Sequence, residues 1–199
     1  MHNYPVPWIL ETRCRKAVWM LRGRLLTLYL RVHGCKVGKS LKCKDWPIFR
    51  QVPWKNIVLG SNITVGYRVV LDVHLGAMLA IGDHVNLTQD LLIGCGSEVQ
   101  IGAYSGIGEY SSIRDGEHGY SADELIHGQK TTYKSITIGT DVQISKGCLV
   151  LPGSQLPDGV LIGAHSSVTA NSRLVAYGIF LGNPVKMIGK RVPKSEIKR

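Results

Sequence analysis

The chain of 199 residues has little aromatic content, 7%, with only two phenylalanines. A core of interlocking rings, common in helical bundles, is therefore not expected. No stretch reaches the ~18 uninterrupted apolar residues that a spanning helix needs. The opening "MHNYPVPWILETRCRK" carries its charges after its apolar residues, the reverse of a secretory signal. There is no CxxC pair. The five cysteines (Cys14, Cys35, Cys43, Cys95, Cys148) are odd in number and widely spaced. A disulfide framework and a structural zinc site are thus not expected, and inert thiols in a reducing cytoplasm are.

Glycine, by contrast, is abundant at 23 residues, which suits repetitive β structure. The net charge of +10 is unevenly divided. Residues 1–50 hold 11 Lys/Arg against 2 acids, residues 51–185 hold 7 against 11, and residues 186–199 hold 6 against 1. Both ends are basic and the body is mildly acidic. Charge confined to the ends, with no groove motif, does not describe a nucleic-acid-binding surface. It does suit local contact with phosphates of a nucleotide or a lipid headgroup.

The dominant signal is a period of six. From Leu59 the chain reads LGSNIT, VGYRVV, then after a slip (LDVH) LGAMLA, IGDHVN, LTQDLL, IGCGSE, and after a second slip (VQ) IGAYSG, IGEYSS, IRDGEH. The rhythm resumes at Ile138 with IGTDVQ, ISKGCL, VLPGSQ, LPDGVL, IGAHSS, VTANSR, LVAYGI. The first position is always Leu, Ile or Val, the second often glycine, the fifth often small or aliphatic. Six is the period of neither strand nor helix. It predicts short flat strands joined by tight corners, three to a coil, with one aliphatic side chain per face pointing into a prism.

The rhythm stops between residues 115 and 136, directly after His118. That residue closes the hexad IRDGEH, so it stands at a corner where the scaffold releases a loop. Histidine titrates near neutrality without assistance, which suits it to act as a general base. The other histidines carry less promise. His2 is terminal, His33 lies in the N-terminal segment and His74 in the slip; His84 and His165 fall mid-hexad, and His127 falls in the loop.

Residues 8–32, "WILETRCRKAVWMLRGRLLTLYLRV", read as helix that Gly23 could divide. Arg13, Arg24 and Arg31 share one helical face, while Arg15 and Arg22 lie nearly opposite. Two compatible roles follow: a cap on the first coil, and a basic interfacial helix with Trp8, Trp19 and Tyr29 at headgroup level. Residues 34–58 read as an irregular lead-in. The organisation expected is an N-terminal cap at 1–56, a repeat domain at 57–188 and a basic tail at 189–199.

The chain resembles the hexapeptide-repeat acyltransferases over about residues 57 to 191. The strongest tract, "DVQISKGCLVLPGSQLPDGVLIGAHSSVTANSRLVAYGIFLGNPVKMIGKR", is similar to the end of the maltose, galactoside and polysaccharide O-acetyltransferases. The resemblance implies an all-β fold, a left-handed parallel β-helix, assembled as a homotrimer with active sites between neighbouring prisms. It implies transfer of an acetyl group from acetyl-CoA to a sugar hydroxyl in cell-envelope polysaccharide or a lipid-linked precursor, without a metal. The family pattern D-x-x-H-G-Y falls on Asp115, His118, Gly119 and Tyr120, making His118 the general base. By the same resemblance Asn86 and Tyr120 approach the acceptor, Asp115 binds acceptor or holds a turn, and Glu117 orients His118. Asn86 is equally read as an ordinary turn asparagine. Ser145 and the Lys146 backbone N–H face the thioester, the latter as oxyanion donor. Gly163 and Ala164 border the pantetheine arm, and Lys190 and Arg191 meet coenzyme A phosphates. The chain departs from the family at Gln143, Ile144 and Ser145, where tryptophan, isoleucine and glycine are usual, and at Val185 in "GNPV". The alternatives are a non-enzymatic membrane-bound scaffold indifferent to His118, acetylation of a small xenobiotic or amino sugar, and a zinc lyase on the same scaffold, which needs closely spaced histidines absent here. The expected location is the cytoplasm, at the inner face of the membrane.

Overall fold

The computed structural model describes residues 5–196; His2 lies outside them, as do the last three residues of the tail. The chain begins with one continuous helix, α1 (Val6–Val32), with Pro7 in its first turn where a missing N–H costs nothing. Gly23 does not divide it. It is one of only three buried residues of α1, with Leu26 and Leu30, and marks where the helix lies directly on the backbone of the first coil. Trp19 and Tyr29 face the protein rather than solvent: Lys44 sits over the Trp19 ring at 5.2 Å, and Tyr29 packs against Trp46 and Phe49 at 5.5 Å. Of the three aromatics expected at headgroup level, only Trp8 is exposed.

After α1 the chain winds round a three-sided parallel β-helix. The first face stacks six strands from Lys36–Val37 to Gln155–Leu156, and the third stacks six from Ile48–Phe49 to Ser167–Val168. The second runs from Lys42–Cys43 to Gly178–Leu181 and is closed by an antiparallel strand, Lys186–Lys190. The all-β solenoid expected from the period is therefore present. Residues 34–58, expected as an irregular lead-in, contain three strands of a complete first coil, paired in parallel with the next. Their hexads are hidden by exposed lysines such as Lys36, Lys39 and Lys42 and by the buried prolines Pro47 and Pro53. The strand Lys186–Lys190 also crosses the boundary expected at 188.

The first hexad position forms inward columns. Ile81, Ile101, Ile138 and Leu156 stack in register and are all but sealed from water. Each fully buried aliphatic contributes about 1.5–3 kcal/mol. Where the fifth position is serine, its hydroxyl bridges coils: Ser105 donates to the Gly139 carbonyl at 3.0 Å and accepts from the Val142 N–H at 3.1 Å. Among the described residues no buried side-chain nitrogen or oxygen lacks a hydrogen-bond partner.

The glycine column serves the stacking and not the turning. A Cβ on Gly82 would fall 2.7 Å from the Ala103 nitrogen, and one on Gly102 only 2.4 Å from the Gly139 oxygen. The left-handed corner residues come two places later, and several are bulky: His84, Tyr104 and Tyr177 have φ near +60°. Each sends its N–H to the coil before it, as in Tyr104 to Asp83 at 2.8 Å. That bond offsets a conformation costing about 1–2 kcal/mol.

Candidate functional site

The interruption at 115–136 is a β-hairpin released between the third face and the first. Strands Gly116–His118 and Thr131–Tyr133 pair antiparallel, with His118 opposite Thr131 and Gly116 opposite Tyr133. Its base closes where the Lys134 N–H donates to the Asp115 carbonyl at 2.8 Å. Gln129 gathers the tip, accepting from the Ser121 N–H at 2.7 Å and donating to the Ser121 and Glu124 carbonyls. His127 and Tyr120 belong to this tip, and Tyr120 is 80% exposed.

Between the hairpin and the prism lies a groove of about 350 Å³. His118 stands at its edge, Nδ1 3.3 Å from the Thr131 hydroxyl. Within the groove are His74, Asp72, Arg114 and Tyr133. His74 Nε2 is 4.0 Å from Asp72 Oδ1, and the Tyr133 hydroxyl is 3.5 Å from His74 Nδ1, with the two rings edge to face. Arg50 reaches the same Asp72 at 3.4 Å. Tyr133 lies flat over two glycines: a Cβ on Gly96 would fall 1.9 Å from the ring, and one on Gly116 2.8 Å. Exposed imidazole, hydroxyl and guanidinium groups thus converge on one cleft, an arrangement able to accept a proton and to hold a polar substrate.

Asp115 also lines this cleft, with its carboxylate engaged by backbone. It is buried, and its carboxylate accepts three backbone N–H groups, from Gly96 at 2.8 Å, Ser97 at 2.7 Å and Glu98 at 3.0 Å. Of the two roles offered it, these bonds are those of the turn. Glu117 precedes His118 on the same strand. Neighbouring strand residues point to opposite faces, and the imidazole's partner is Thr131.

The residues assigned to the acyl donor gather elsewhere. Ser145, Lys146, Gly163 and Ala164 lie on the corner between the second and third faces. The Lys146 N–H donates to no group among the described residues, while its carbonyl accepts from His165 at 2.9 Å. The space over Gly163 is filled by Leu181, whose Cδ1 is 2.5 Å from where a Cβ would stand. Arg191 is at the opposite edge of the second face, because the last strand runs backwards and sets Lys190 beside Gly178. There its guanidinium holds Asp141 Oδ2 at 2.9 Å and the Gly159 carbonyl at 2.9 Å, over the Tyr177 ring. It staples the last strand to two coils. Lys190 remains exposed. Asn86 is exposed on the second face, between Thr64 and Gly106. Within one chain, therefore, neither Asn86 nor the donor set is brought to His118.

Sequence reasoning missed His74, Asp72, Thr131 and Tyr133. The first two were set aside as part of a slip in the repeat. Their signal was available by stacking: Asp72, Gly94 and Arg114 are register partners on successive coils, so the slip and the loop share one corner. Burial pushes the Cys95 thiol beneath the groove up to about 12. Among the described residues no group of three His, Cys, Asp or Glu side chains could hold a metal ion.

Comparison with known proteins places this geometry. No family model matches the chain. It is 30% identical over 175 residues to the dTDP-4-amino-4,6-dideoxy-D-glucose acyltransferase of Escherichia coli, a match spanning 84% of this chain and 88% of that one. It is 29% identical over 163 residues to WcaF of Escherichia coli (strain K12), assigned to colanic acid biosynthesis as an acetyltransferase, covering 82% of this chain and 73% of the relative. Among solved structures, AntD, an N-acyltransferase from Bacillus cereus in complex with dTDP and 3-hydroxybutyryl-CoA, shares the fold with a TM-score of 0.71 at 18% identity, over 83% of this chain and 88% of AntD. With a stacked hexapeptide prism, a hairpin bearing His118 and near-full-length similarity to an acyltransferase, the chain belongs to the hexapeptide-repeat acyltransferases.

Proposed function

We propose that the protein transfers an acetyl group from acetyl-CoA to a hydroxyl of a sugar destined for cell-envelope polysaccharide, with His118 as general base. The observation that carries this is His118 at the edge of a polar groove, on a hairpin that the scaffold does not need. In the reaction the imidazole takes the acceptor's proton as its oxygen attacks the thioester carbonyl. The oxyanion of the tetrahedral intermediate is met by a backbone N–H, for which Lys146 is the candidate. Collapse expels the thiolate of coenzyme A, which takes up the proton from His118.

Since the donor corner and His118 occupy different corners of one prism, the complete site forms between copies, and a homotrimer satisfies this. Lys190 supplies positive charge for the anionic end of the donor. The basic α1 meets the inner face of the membrane, where a lipid-linked acceptor would be presented, and the protein works in the cytoplasm.

A second reading, acylation of an amino sugar carried on a nucleotide, is favoured by the relative that acts as a dTDP-4-amino-4,6-dideoxy-D-glucose acyltransferase. The first test is calorimetric binding of acetyl-CoA and coenzyme A to the wild type and to His118→Ala. Saturable binding to both is expected, with thiol release on acceptor addition confined to the wild type. Absence of binding at millimolar ligand would refute acyl transfer from coenzyme A. Hydroxyl and amino acceptors assayed side by side separate the two readings.

A further inference from the structure

α1 and the first coil enclose a second groove, of about 460 Å³, that acyl transfer does not use. Four cations line it, Arg24 and Arg31 from the helix and Lys39 and Lys42 from the coil, together with the apolar Met20 and Leu28. No acidic residue is among its walls. Arg31 donates to the Val37 carbonyl at 2.6 Å; the side chains of Arg24, Lys39 and Lys42 meet no acceptor among the described residues. Four like charges in one cleft repel one another unless an anion sits between them.

The same helix carries a face that nothing covers. Opposite the buried Gly23, Leu26 and Leu30, a stripe of Val18, Leu21, Leu25, Leu28 and Val32 stands 45–72% exposed. Those residues repeat at intervals of three and four and so form one seam along α1. The seam has Arg24 and Arg31 along one side and Arg15 and Arg22 along the other. The one acid on the helix, Glu11, is bonded to Arg15. A second copy seated on this seam would set arginine against arginine at both flanks, where paired helices need opposite charges. An anionic lipid surface meets both the seam and its flanks, since arginines beside a buried apolar stripe reach up to headgroup phosphates. Leu28 belongs to both the seam and the groove, so the groove opens at the level where those phosphates would lie.

We propose that α1 docks on an anionic membrane with the Val18–Val32 seam immersed, and that the groove of Arg24, Arg31, Lys39 and Lys42 closes on a lipid phosphate. This deepens the membrane contact given under the proposed function and rests on it. It is independent of the acyl-transfer chemistry. The groove lies on the coil of Lys36–Val37, three strand spacings from the coil that releases the hairpin, or ~14 Å along the stack.

The test is co-sedimentation of the full chain with vesicles of phosphatidylcholine alone and with phosphatidylglycerol added, in the absence of any acyl donor. Wild type is expected to bind only the anionic vesicles and to be released by salt. The pair Arg24→Ala with Lys42→Ala should weaken binding about thirty-fold, at about five-fold per charge near such a surface. Lys39→Ala with Lys42→Ala should do the same, and Leu21→Ser with Leu25→Ser should weaken it on the order of ten-fold or more. All these positions are exposed, so each variant should melt with the wild type. Equal binding to both vesicle types would keep the membrane contact and overturn the phosphate groove. Anionic binding unaffected by both charge pairs would also overturn the groove. A serine pair that changes the oligomeric state and leaves vesicle binding intact would assign the seam to a second copy and overturn the proposal.

Discussion

Substituting alanine for Gly23 sets two magnitudes against each other. In a helix interior alanine is favoured over glycine by about 1 kcal/mol, and propensity alone predicts a more stable protein. The packing predicts the reverse. A Cβ at this position would stand 1.8 Å from the Leu41 carbonyl oxygen, 2.7 Å from its carbon and 3.3 Å from the Lys42 nitrogen. These are backbone atoms of the first coil, so no side-chain rotation relieves them. Reaching ordinary contact requires α1 to lift by roughly 1.5 Å. Leu26 and Leu30, each 1% exposed, are what seat the helix. Losing half of their burial costs about 1.5–3 kcal/mol in total, which leaves a net loss of about 0.5–2 kcal/mol after the propensity gain. For a chain of this size that lowers Tm by roughly 1–8 °C. Ala17→Gly is the control: Ala17 is exposed on the same helix, so it should lose about 1 kcal/mol through propensity alone. Urea denaturation of both variants reads the difference. A Gly23→Ala protein that is more stable than the wild type would mean that the helix does not rest on Leu41.

Asp115→Asn should cost about 2–3 kcal/mol in urea denaturation, because an amide presents its NH2 group to N–H donors that both carboxylate oxygens now satisfy; wild-type stability would contradict that role. Ellman's reagent should find one fast thiol, the exposed Cys14, since the other four are buried and burial pushes Cys43 up to about 11 and Cys95 up to about 12; a second fast thiol would refute this. The Arg68 guanidinium, bonded to Asp90 at 2.5 and 2.6 Å, holds that carboxyl below its ordinary value. The stability gained is present above the free carboxyl's value and lost as pH falls through the lowered one, so wild type and Asp90→Asn should differ at neutral pH and begin to converge only as acid melts go below about pH 4. Replacing the hairpin tip, residues 120–129, with a two-residue turn should leave the melting temperature within a few degrees of the wild type while abolishing acyl transfer; a large loss of stability would show that the hairpin supports the prism.

The prism was legible because every coil repeats one demand, an aliphatic at the first hexad position and a close approach at the second. Ile81, Ile101 and Ile138 satisfy it at intervals the eye can follow. The first coil satisfies it through Val37 and Cys43, with Leu41 at the fifth position, but with exposed lysines and a cysteine in place of an aliphatic the pattern drops below recognition. His118 was found because the rhythm stops beside it. His74 and Tyr133 were not, since each enters the groove through contacts between coils, 59 residues apart in sequence. Arg191 shows a different limit: the last strand reverses direction, and that reversal, invisible in a one-dimensional motif, delivers it to Asp141.

The placement of the hairpin follows from how the stack is held together. Ile113 pairs with Ile93 on one side and Val150 on the other, and Val99 pairs with Ile136, so the ladders on both faces run past the insertion without a shift in register. The closure entropy of a loop grows only slowly with its length, and the Lys134–Asp115 backbone bond ties its base. The scaffold therefore loses little by releasing twenty residues at a corner. What it must fix is the direction in which they leave, and two features do this. Asp115 locks the turn of Gly96–Glu98 beneath the hairpin, and the absent side chains of Gly96 and Gly116 let Tyr133 lie flat on the prism. With Tyr133 seated, its strand partner carries His118 to the edge of the groove and points it outward. The aliphatic columns hold the prism while Asp115 and Tyr133 set the aim of the histidine, which is why the histidine itself can stand in solvent with Thr131 as its hydrogen-bond partner.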